Sequence, residues 1–150
     1  MKILFTKSEY RTLIDMIYMA EWMLTAFEDQ PNPAKAKYQH LVQKIYSHAK
    51  EMGWESLIDI STAENEYFPS REYEDKSGTY DLIAEYDGEA FWGQLVDRLT
   101  ERDVRAKAGG KHEEELSNDA YSAIADPIAD AYEREFSANG IEKLKVSEAG

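Results

Sequence analysis

Four stretches of this chain repeat apolar residues every three to four positions, and this helical period limits what it can fold into more than any motif does. The first is the clearest. Thr6 followed by Glu9 has the spacing of a capping box, in which each side chain satisfies an unpaired N–H at a helix start. A helix is predicted to begin near Lys7, with Leu13, Met16, Ile17, Ala20, Met23, Leu24 and Phe27 along one face. Tyr10, Ile14, Tyr18 and Trp22 widen that face well past a surface stripe, which predicts the central helix. Pro31 and Pro33 stop it, because proline lacks an N–H and disfavours α geometry at the preceding residue.

In the second stretch Asn32 suits an N-cap with Pro33 at the first helical position, and Tyr38, Leu41, Val42, Ile45, Ala49 and Met52 form a single stripe ending at Gly53. The short connection predicts that these two helices run antiparallel. The third helix is placed from Asp87, as N-cap, to about Lys107, with Phe91, Trp92, Leu95, Val96 and Leu99 apolar and Gly109-Gly110 as its end. The fourth runs from Ser117 or Asn118 to Ala138 on Tyr121, Ile124, Ala125, Ile128, Ala129, Tyr132 and Phe136, with Asn139-Gly140 as the stop. Pro127 lies inside it, so either the helix kinks or Asp126 caps a second one.

Between the second and third helices the pattern is irregular. Leu57-Ile58-Asp59-Ile60 reads as a short strand or a last helical turn. An acidic, aromatic segment from Glu64 to Asp75 follows, read as loop with one short helix after Ser70. The tail Ile141–Val146 alternates apolar and charged residues, and Lys2–Phe5 or residues 57–60 are its available strand partners. A length of 150 residues fits one domain. The predicted fold is therefore a mainly α single domain, 1–150, with about four long helices around one core, an irregular acidic segment and a short terminal strand pair.

Composition narrows function by exclusion. The chain has no cysteine, which removes disulfides, thiolate metal sites and cysteine nucleophiles. Its net charge of -13 opposes direct nucleic-acid binding. The apolar run Ile3-Leu4-Phe5 is far short of a signal-peptide core, and no stretch approaches the roughly 20 apolar residues of a membrane span. A cytoplasmic protein off the membrane is expected. Neither a Gly-x-Ser-x-Gly elbow nor a phosphate-loop spacing occurs, and Glu-x-x-His is absent; the one same-face pair of this kind is His48 with Glu51, in the reverse order. No metal or cofactor is expected, and the reading leans away from an enzyme.

Two groups of side chains remain as candidates. Residues 61–100 carry 10 acidic and 3 basic groups. Within them Glu64, Glu66, Tyr67, Phe68, Glu72, Tyr73, Glu74 and Asp75 combine rigid aromatic contact area with carboxylates, a pattern suited to a basic protein partner and, in one version, to mimicry of nucleic-acid charge. The plainer account is that the aromatics pin a long connection to the helices while the acids solvate it. The surplus aromatic surface also admits a homodimer. The second group, Glu21, Arg102, Asp103 and Glu135, projects from apolar stripes at about 100° per residue. Such charges make either a polar site between helices, for catalysis or a small ligand, or ion pairs at stripe edges.

Overall fold

The computed structural model describes residues 2–27 and 32–145. It is mainly helical: α1 (Lys7–Thr25), α2 (Ala36–Tyr46), α3 (Arg71–Lys76), α4 (Thr79–Lys107) and α5 (Asn118–Asn139), with one antiparallel pair, β1 (Ile58–Ser61) and β2 (Glu66–Pro69). The chain divides into two compact units, Met1–Glu85 and Tyr86–Gly150, and the boundary falls inside α4. Buried hydrophobic residues gather in a cluster in each unit, where the sequence pattern predicts one core.

In the first unit the capping box forms as predicted: the Glu9 N–H donates to Thr6 Oγ1 at 3.2 Å and the Thr6 N–H donates to Glu9 Oε2 at 2.8 Å. The rotation of α1 differs from the expectation. Tyr10 and Ile14 are its buried residues, packed with Val42, Tyr46, Ala49, Leu57, Ile58 and Tyr73, whereas Met16, Met23 and Phe27 are exposed. Apolarity alone does not choose between flanks of a helix that is apolar nearly all round; polar tips do. The Tyr10 hydroxyl donates to the Ile45 carbonyl, and Asp15 accepts from Tyr73 at 2.8 Å, so the flank bearing these groups turns inward.

Asn32 caps a single 3-10 turn, Pro33–Lys35, that opens α2. Gln30 and Pro31 lie outside the described residues. α2 ends at Tyr46, earlier than Gly53, and residues 47–53 continue as tight turns that bury Ala49 and let the Trp54 indole donate to the Lys7 carbonyl at 2.9 Å. Gly53, at φ +71°, makes the reversal possible, a region that costs other residues roughly 1–2 kcal/mol.

The strand reading of residues 57–60 is the one realised. β1 and β2 pair with Ile58 opposite Pro69, Asp59 opposite Phe68, Ile60 opposite Tyr67 and Ser61 opposite Glu66. The short strand pair is thus a local hairpin. Lys2–Phe5 and residues 141–145 are not in strands, and Val146 lies outside the described residues. The outer edge of β2 is closed by one side chain: Gln43 of α2 accepts from the Tyr67 N–H at 2.7 Å and donates to the Tyr67 carbonyl at 2.8 Å. Ser70 then caps α3, accepting from the Tyr73 N–H at 3.2 Å and donating to the Ser56 carbonyl at 2.7 Å.

The helix expected from Asp87 starts eight residues earlier, at Thr79. Gly78, at φ +72°, is the break before the helix, and buried Ile83 anchors the additional turns. In the second unit Val104, Ala125 and Ile128 are buried with Leu116, Tyr121, Ile124 and Tyr132 against them. Phe136, also buried, stacks on Tyr132 with ring centroids 5.7 Å apart and meets Trp92 at 5.6 Å. Gly109 and Gly110, both at positive φ, terminate α4, and Ser117 caps α5. α5 runs unbroken through Pro127, which is exposed, so the carbonyl deprived of its N–H partner lies toward solvent.

Candidate functional site

The acidic aromatic segment is ordered as a hairpin followed by one helical turn, and this separates its aromatics. Tyr73 is fully buried: its ring meets Tyr18 edge-on at 5.1 Å, and its hydroxyl donates to Asp15. Burial pushes that phenol well above the usual tyrosine range. Tyr73 therefore anchors the segment and offers nothing to a partner. Tyr67 is half-buried against the same core.

Phe68 is placed differently. Side chains alternate across a strand, so Phe68 shares the outer face of the hairpin with Asp59, directly across, and Glu66, two residues back. It is 45% exposed and both carboxylates are exposed. The turn that joins the strands places Asn65 at φ +55° and holds Glu64 through Ser61, whose Oγ accepts the Glu64 N–H at 3.4 Å. A shallow cleft of about 540 Å³ follows this end of the hairpin, with Glu64, Glu66, Tyr67 and Phe68 in its wall. Farther on, Glu72 and Asp75 are paired within α3, to Lys76 at 3.2 Å and Arg71 at 3.7 Å, while Glu74 is exposed.

Asp59 is a site residue that the sequence pattern alone does not mark, because residues 57–60 read equally as a strand or a helical turn. The alternation Ile58-Asp59-Ile60 is the signal that reveals it once the hairpin register is known.

The second predicted group is not one constellation. Glu21 belongs to the first unit, where its carboxylate accepts from the buried Tyr46 hydroxyl at 3.3 Å. Burial holds its pKa above the ordinary glutamate range; the Tyr46 hydrogen bond opposes this and the charge of Glu66 adds to it. Electrostatically, Glu21 thus belongs with the hairpin acids. In the second unit Arg102, Asp103 and Tyr132 close a ring of hydrogen bonds: Arg102 Nε donates to Asp103 Oδ1 at 2.8 Å, Arg102 Nη2 to the Tyr132 hydroxyl at 2.9 Å, and that hydroxyl to Asp103 Oδ2 at 2.5 Å. Donation from Arg102, and then from Tyr132, lowers the pKa of Asp103. Glu135 bonds instead to Asn139 at 3.0 Å and Lys143 at 2.9 Å.

No protein-family profile, characterised protein or solved structure matches this chain. Among the described residues no three His, Asp or Glu groups gather in a way that would hold a metal, and no helix is long and apolar enough to cross a membrane. The Nδ1 of His48 meets Glu51 at 3.0 Å as an exposed pair, and His40 is exposed. A groove of about 560 Å³ in the second unit is lined by Arg98, Arg102, Arg105, Lys111 and His112 together with Glu101 and Glu114. The first three arginines follow from one helical face at spacings of four and three, and the double-glycine turn carries Lys111 and His112 back beside them.

Proposed function

We propose that this chain is a non-enzymatic interaction protein that accepts a basic segment of a partner protein on the outer face of the β1–β2 hairpin. The observation that carries this reading is Phe68, an exposed aromatic with Asp59 and Glu66 on the same face. A lysine or arginine side chain laid across that ring gains apolar contact along its stem and meets a carboxylate at its head. Glu64 and Glu74 extend the negative field around this point and raise the rate of encounter. The charge-mimic version of the reading needs rows of unpaired carboxylates; with Glu72 and Asp75 paired inside α3, the aromatic anchor favours the basic-segment version.

The test is fluorescence anisotropy with a labelled peptide of alternating lysine and leucine. Binding is expected to weaken steeply as salt is raised, and to fall at least tenfold in an Asp59→Lys, Glu66→Lys double variant and in Phe68→Ala, each with an unchanged circular-dichroism spectrum. Equal affinity in the reversal variant overturns the proposal.

A second reading, small-anion binding, has one observation in its favour: the groove with Arg98, Arg102, Arg105 and Lys111 in an otherwise acidic chain. Isothermal titration with inorganic pyrophosphate decides it. Saturable binding lost in an Arg105→Gln, Lys111→Gln double variant supports it, and absence of heat at millimolar ligand removes it.

A further inference from the structure

α1 has a second face that its own unit does not use. Opposite the buried Tyr10 and Ile14 lie Met16, 60% exposed, Met23, 70% exposed, and Phe27, fully exposed, with exposed Ala20 in their middle. With Leu13, which is half-buried against the core and borders this face at its N-terminal end, these residues are spaced three, four, three and four apart, the seam spacing of helices that pair side by side. Two acidic and no basic residues fall between Thr12 and Phe27, and both are engaged away from this seam: Asp15 by Arg11 and by Tyr73, Glu21 by Tyr46. The exposed face is thus free of charge on a chain whose net charge is -13.

We propose that the occupant of this face is a second copy of the chain, packed antiparallel with Ala20 at the two-fold axis. Two features select a copy over a basic partner. A basic partner finds no free carboxylate here, since Glu9 at the N-terminal margin is held in the capping box by Thr6, whereas two strongly acidic molecules repel each other least where neither presents a charge. The order of side chains also reads the same in both directions, large-large-small-large-large for Leu13, Met16, Ala20, Met23 and Phe27, as a contact between identical patches requires. Reversed on itself, the seam places Leu13 against the copy's Phe27 and Met16 against its Met23, and the small residue at the centre lets the backbones approach. Antiparallel pairing also sets the helix dipoles head to tail. A single-helix contact is smaller than the roughly 800 Å² per partner of a standard interface, so a weak, concentration-dependent dimer is expected.

This surface is separate from the hairpin face, and its test does not depend on peptide binding. Sedimentation velocity of the full chain over the micromolar range is expected to show a monomer passing to a dimer. Ala20→Glu, which places two carboxylates across the axis at an exposed helical position, is expected to weaken the dimer at least tenfold while helicity stays constant and the melting temperature is unchanged at dilutions where the parent is monomeric. Ala20→Cys adds a lone cysteine to a chain that has none, and is expected to cross-link to a dimer under mild oxidation, whereas Met16→Cys alone is not. A monomer at every concentration, a dimer indifferent to Ala20→Glu, or cross-linking by Met16→Cys and not by Ala20→Cys overturns the proposal.

Discussion

The hydroxyl of Thr100, buried on α4, has no hydrogen-bond partner among the described residues. A buried donor left unpaired costs about 1–3 kcal/mol, so Thr100→Val, nearly the same shape without the polar atom, is expected to stabilise the protein by about 1 kcal/mol in urea unfolding. Glu21 is the other residue at odds with its surroundings. Because its pKa is raised on folding, the folded state holds that proton more tightly than the unfolded chain. The resulting stability is present below the ordinary glutamate range and is lost as pH rises through the folded value. Glu21→Gln, which still accepts from Tyr46, is therefore expected to melt higher than the parent at neutral pH, with the difference shrinking as pH falls into the glutamate range; parallel melting curves across pH check this. The sequence marks Glu21 as a charge on an apolar stripe, but its partner Tyr46 lies 25 residues away, and local spacing cannot reach it.

At the level of elements, the sheet depends on a helix. Gln43→Ala strips both backbone groups of Tyr67 of their partner, and about 1–3 kcal/mol of stability is expected to go with them, read as a lower denaturant midpoint with an unchanged slope. Local chemistry in the sequence predicts the ends of elements well: Thr6 with Glu9, Asn32, Ser70 and Ser117 all cap where their side chains allow it. It fails at Asp87, a good cap residue inside a helix already under way, and at the rotation of α1, where periodicity offered two apolar flanks and the hydrogen bonds of Tyr10 and Asp15 chose between them. The hairpin face with Phe68 was half legible. The acids and aromatics were apparent, but which aromatics point outward depends on a strand register that four residues cannot establish alone.

For the whole molecule, the mainly helical class follows from periodicity, whereas the division at Glu85 and Tyr86 does not, because it falls within a continuous helix where neither proline nor a polar linker marks it. Charge acts at this scale as well. A net charge of -13 makes the compact state repel itself, so added sodium chloride at neutral pH is expected to raise the melting temperature, most steeply at low ionic strength where screening changes fastest; a salt-independent melting temperature would show that local ion pairs already balance the excess. The exposed seam of α1 has a chemical side too. Leucine would give a similar apolar surface inert to oxidants, but Met16 and Met23 supply thioethers, and with no cysteine in the chain to react first, dilute peroxide is expected to convert these two to sulfoxides ahead of the half-buried Met19 and Met52, as peptide mass mapping would show. Each sulfoxide introduces a strong dipole into a face that is otherwise featureless to water, so the surface best suited to self-recognition is also the one an oxidant can erase and a reductase restore.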